Sequence, residues 1–147
     1  MARQINLILA DLIRLMARDF QDSGEGSDGW ERLAAICDEI REFGDVEVFA
    51  PAMFDVMERL DDVELGTPGP LVHTLEQCPG KYERYLAESV RRKPARLTVW
   101  MINRILNAKP PDARDWIGLL READLHPLAS KETKAAAKGY LERQGAS

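Results

Sequence analysis

Along most of this chain apolar residues return every three or four positions, and that spacing limits what it can fold into. The spacing places them on one face of an α-helix, and few stretches show the strict alternation of a strand. Residues 3–20 line up Ile5, Ile8, Leu9, Leu12, Met16 and Phe20. Trp30, Leu33, Cys37 and Ile40 do the same in a segment that Ser27 or Asp28 can cap and Gly44 ends. Pro51 opens a third helix with Met53, Phe54, Met57 and Leu60 inward. VEVF at 46–49 is the one strand-like moment. Thr67, with Pro68 or Pro70, starts a short helix to about Gln77, and further helices read as 80–92, 94–108, 112–123 and 131–144. The sum is an all-α fold of seven or eight short helices, whose tight links predict antiparallel HEAT-like hairpins, although no repeat period is visible.

A chain of 147 residues fits a single helical domain, 1–147. Its apolar runs stop short of the ~20 residues that span a bilayer. INLILADLIRLMARDF is interrupted by Asp11 and Arg14 and lacks a small-residue cleavage site, which points to a cytoplasmic protein without membrane partners. Residues 94–108 are apolar around nearly the whole helix, as a central helix would be. Asn103 and Asn107 within it would then need hydrogen bonds, expected from loop backbone.

GPLVHTLEQC at 69–78 gathers His73, Glu76 and Cys78, yet a metal site needs three or four ligands and no other histidine is near. The expectation is no metal and no cofactor, with His73 a hydrogen-bonding tie. Cys37 and Cys78 form no CxxC pair, and Ser89 sits in no glycine-framed elbow. No glycine-rich phosphate loop occurs, so an enzyme is not expected.

Charge is the uneven property. Residues 1–77 carry 17 acids and 6 bases, and residues 78–147 carry 8 acids and 14 bases. Asp55, Glu58, Asp61, Asp62 and Glu64 form the densest acidic group, a candidate docking surface for a basic protein, set against a merely solvated face. Lys81, Arg84, Arg91, Arg92, Lys93 and Arg96, interleaved with Tyr82 and Tyr85, form a basic stripe at 81–96. It could serve a nucleic-acid-binding or scaffolding helical-repeat protein, although an acidic chain repels polyanions.

GPLVHTLEQ, YERYLAESVRRKP and LTVWMINRILN together resemble small all-α immunity proteins of bacterial contact-dependent inhibition and related polymorphic toxin systems. The resemblance covers about residues 66–108 and carries no catalytic motif. It implies a HEAT-like scaffold that neutralises a cognate toxin C-terminal domain, often a nuclease, in a stoichiometric complex. His73, Tyr85, Trp100, Asn103, Arg104 and Asn107 match its pattern as scaffold residues.

Overall fold

The computed structural model describes residues 4–21, 28–66 and 68–146. Ser27 and Thr67, two of the expected helix caps, lie outside the described residues. Among those described, every regular element is helical and no strand occurs. The helices are α1 (Ile5–Arg14), α2 (Gly29–Phe43), α3 (Ala50–Arg59), α4 (Gly69–Leu75), α5 (Glu83–Arg92), α6 (Arg96–Asn107), α7 (Ala113–Leu125) and α8 (Lys131–Arg143). Short 3-10 turns occupy Ala17–Phe20 and Val46–Phe49. The packing divides into two compact units, Met1–Tyr85 and Leu86–Ser147.

In the first unit α2 packs on α4 and α1, and α1 on α3. Ile8, Leu12, Leu33, Ile40, Phe49, Met53, Phe54 and Leu71 are buried there. The helix expected over 3–20 breaks after Arg14. Leu15 takes an extended backbone, and the Asp19 carboxylate accepts the Met16 N–H at 2.9 Å. An aspartate that captures a nearby backbone donor competes with helix continuation. The break turns Leu15 inward and leaves Met16 exposed. Arg59 completes the exchange: its guanidinium donates to the carbonyls of Leu15 and Leu12 at 3.0 and 3.1 Å, adding an outside donor at the helix end, where Leu12 also accepts the Leu15 N–H at 3.3 Å.

α2 begins where the chain crosses close to α1's successor turn. A side chain at Gly29 would meet the Asp19 carbonyl oxygen at 2.4 Å, so only glycine fits. Asp28 precedes it but makes no capping bond, and Arg32 Nε contacts its carboxylate at 3.4 Å instead. At the other end Gly44 adopts φ +93° and its N–H reaches the Ile40 carbonyl, the left-handed stop that glycine favours. Trp30 is half-buried, less than the sequence predicted, because its indole N–H reaches out to the Glu64 carbonyl at 2.8 Å.

VEVF is a 3-10 turn. Side chains three apart eclipse in that geometry, which buries Val46 and Phe49 together and sends Glu47 and Val48 outward. Phe49 then packs edge-on against Phe43 with ring centroids 5.4 Å apart. Four residues of alternation mimic a strand. The three-residue spacing of the larger side chains is what folds.

In the second unit α7 packs on α8, and both pack on α6. Val99, Met101, Ile102 and Leu106 of α6 are buried, as are Trp116, Leu120, Ala123, Ala137 and Leu141. Thr98 closes the first turn of α6 by accepting from the Ala95 N–H and donating to the Ala95 carbonyl, each at 3.0 Å. Ser130 caps α8 by accepting the Thr133 N–H at 3.0 Å. The two asparagines of α6 are tied by a side chain, not by loop backbone. The Gln144 amide donates to Asn103 Oδ1 at 2.8 Å and to Asn107 Oδ1 at 2.9 Å.

Candidate functional site

The five acids of the candidate docking surface leave α3 and its following turn in different directions. Asp55 accepts from Arg59 Nε at 2.7 Å, one helical turn away, and so orients the guanidinium that closes α1. Glu58 is only 6% exposed and faces the core. Asp61 is half-buried, whereas Asp62 and Glu64 are exposed. Glu64 also stiffens its own loop, since its Oε1 accepts the Gly66 N–H at 2.9 Å. The structure therefore gathers Asp61, Asp62 and Glu64 in the segment after α3 and gives Asp55 and Glu58 structural positions. Position could have revealed this. Glu58 follows Phe54 by four and sits beside Met57 on the buried stripe, and Asp55 precedes Arg59 by four.

Other acids of the first unit are partly committed. Asp38 pairs with Arg41, whose guanidinium also donates to Thr74 Oγ1 at 2.7 Å. Glu47 accepts from Arg84 at 2.6 Å and from the Tyr85 hydroxyl at 3.1 Å, and Arg84 stacks over the Tyr85 ring at 4.6 Å. Glu42, Asp45 and Glu31 are exposed. The first unit as a whole carries 18 acids against 8 bases, a net charge of −10, and the second carries 7 acids against 12 bases, a net +5. The imbalance seen along the chain is thus an imbalance between two packed bodies.

The basic stripe is less uniform than its sequence. Tyr82 is buried and offers no ring face for stacking a base, while Arg84 and Tyr85 are joined to Glu47. Lys81, Arg91 and Arg92 are exposed.

His73 is exposed on α4 and lines a shallow depression of about 360 Å³ with Ala34, Arg41, Pro68, Gly69 and Pro70. The expected hydrogen-bonding tie through its ring is not formed among the described residues: α4 turns the imidazole toward solvent, and its buried positions are Leu71, Val72, Thr74 and Leu75. The tying histidine is His126. Its Nδ1 accepts the Leu128 N–H at 3.0 Å, so Nε2 carries the proton that it donates to the Arg91 carbonyl at 2.8 Å. No group of three or more His, Cys, Asp or Glu among the described residues is placed to hold a metal ion.

The thiols differ in setting. Burial pushes Cys37 up to about 11, against the lowering effect of a hydrogen bond with Thr74 and of the Arg41 charge. Cys78 is half-buried and its Sγ–H donates to the Leu75 carbonyl at 3.1 Å; burial, helped by the Glu83 carboxylate, raises its pKa too. Neither is an activated thiolate.

Against this geometry, no protein-family model matches the chain, no curated protein matches it, and no solved structure matches it.

Proposed function

We propose that this chain is a cytoplasmic immunity protein, a HEAT-like helical scaffold that binds the C-terminal domain of a cognate bacterial toxin and blocks it one-to-one. The observation that carries the reading is the net charge of −10 on the first unit, with Asp62 and Glu64 exposed and Asp61 beside them. The resemblance of residues 66–108 to immunity proteins supplies the class of partner. A nuclease toxin holds phosphates in a basic cleft, and carboxylates are the groups that can occupy such a cleft in their place. Complementary charge of this kind accelerates encounter and disfavours wrong partners. The role is stoichiometric binding, with no catalytic step.

The test begins with the gene directly upstream, which should encode a large secreted protein with a variable C-terminal domain. That domain, purified, should form a one-to-one complex with this chain on size exclusion. Asp61→Lys with Asp62→Lys should weaken the complex at least about tenfold. A folded double variant that binds and protects cells as the wild type does would return the acidic group to the role of a solvated face. Arg91→Glu with Arg92→Glu should leave the complex intact. Retention of RNA or DNA by the wild type, lost in that variant, would favour the nucleic-acid reading.

A further inference from the structure

α1 has the composition of a covered helix but, among the described residues, is covered on one side only. Of its ten residues Asn6, Asp11 and Arg14 are the polar ones, and a helix apolar around most of its circumference is ordinarily packed on more than one face. Here α1 buries Ile8 and Leu12 against α2 and α3. Its outer side keeps Leu7 50% and Ile13 63% exposed, with Met16 exposed just past the end. Leu7, Asp11 and Arg14, at spacings of four and three, form the edge of that side toward α2. Along it runs a groove of about 360 Å³, walled by Asp11, Arg14 and Leu15 on one side and by Ala35, Ile36 and Glu39 on the other.

We propose that the outer face of α1 and this groove receive the apolar anchor of the toxin domain, an inference that rests on the functional reading above. Charge decides the occupant. The face belongs to the unit of net charge −10, while the groove's own lining is balanced, Asp11 and Glu39 standing against Arg14, 3.9 Å from Asp11, and Arg32. Arg32, the cation on the α2 wall, is held by Asp19 at 2.9 Å and by Asp28 at 3.4 Å. An apolar side chain seated here enters a locally balanced groove on a strongly acidic unit, so it suits a partner whose surface around the anchor is basic overall. Two copies of this unit meeting face to face would oppose equal negative charges, which disfavours self-pairing. The arrangement is that of an interface centre: apolar side chains in the middle, with charges at the rim.

The test uses the purified toxin domain and three chains: wild type, Leu7→Glu with Ile13→Glu, and Leu125→Glu with Leu128→Glu. Leu125 and Leu128 are 81% and 60% exposed in the second unit and serve as an equally apolar control. The α1 variant should bind at least tenfold more weakly, through faster dissociation, and the control within twofold of wild type. Should the double α1 variant melt early, Ile13→Gln alone, at the more exposed position, should still slow no association yet speed dissociation. A wild-type complex unaffected by folded α1 variants overturns this inference alone. A homodimer of the wild type lost in the α1 variant overturns it in favour of a second copy. Failure of the wild type to bind the toxin domain overturns the functional reading, and this inference with it.

Discussion

Arg59→Met is the substitution that best tests how the first unit is held together. Methionine keeps most of the stem's volume and removes only the guanidinium. Three contacts go: donors to the Leu12 and Leu15 carbonyls, and the pair with Asp55. Hydrogen bonds from a charged donor contribute about 1.5–3 kcal/mol each. The Arg59 side chain is 34% exposed, so water can replace part of what is lost and the low end applies. The Asp55 pair is half-exposed on the helix surface and adds only about 0.3–0.5 kcal/mol. The expected total is roughly 3–3.5 kcal/mol, dominated by the two carbonyls at the end of α1. Urea unfolding should therefore show a lower midpoint at unchanged slope. Hydrogen exchange should speed in the last turn of α1 before anywhere else, since that turn loses its outside donor. Asp55→Ala isolates the minor contact and should cost about 0.5 kcal/mol. If Arg59→Met unfolds within about 0.5 kcal/mol of wild type, or if Asp55→Ala costs as much, then Arg59 is not what closes α1.

Two further outcomes follow from buried polar groups. The Cys37 thiol, raised by burial from 9.0 to about 11, holds its proton in the folded state where the unfolded chain has lost it. Stability should thus be full below pH 9 and fall by up to about 3 kcal/mol as pH rises through 11, a slope that Cys37→Ala removes in alkaline denaturation curves. Gln144→Ala strands the buried Asn103 oxygen, while water can take over at the exposed Asn107, and should cost about 1–3 kcal/mol, read as a lower melting temperature with retained helical dichroism.

What the sequence made legible was local. The stop of α2 at Gly44 and the inward set Met53, Phe54, Met57 and Leu60 depend on residues within a few positions of one another, and they stand where the spacing put them. What it hid depended on partners far along the chain. Nothing within 3–20 announces that Arg59, more than forty residues later, will take the Leu12 and Leu15 carbonyls and let the helix end. Nothing near Asn103 points to Gln144. The setting of each acid in the candidate site was hidden for a related reason. Counting carboxylates weights Asp55, Glu58 and Asp62 equally, although one is paired, one faces the core and one is exposed. Charge is a property of the residue, but its availability belongs to the fold.

That distinction also separates two tasks within the proposed interface. Net charge acts over the Debye length, about 10 Å at 0.1 M salt, so acids that make no contact with the partner can still contribute to attraction before contact. A carboxylate paired at Asp55 or Asp38 leaves a neutral pair, and only the uncompensated remainder steers. Once in contact, steering no longer matters, and what holds the complex is desolvated apolar area with matched hydrogen bonds. The turn bearing Asp61, Asp62 and Glu64 has charge with little apolar surface around it. The outer side of α1 has the reverse, with Leu7, Ile13 and Met16 exposed and Arg14 the exposed charge beside them. Changes at the acidic turn should therefore act on association and respond to salt, and changes on α1 should act on dissociation and ignore it. A surface that used one set of residues for both tasks would have to bury unpaired carboxylates at its centre, at a desolvation cost that attraction only partly offsets. Placing the acids at one position and the bare apolar helix at another avoids that cost.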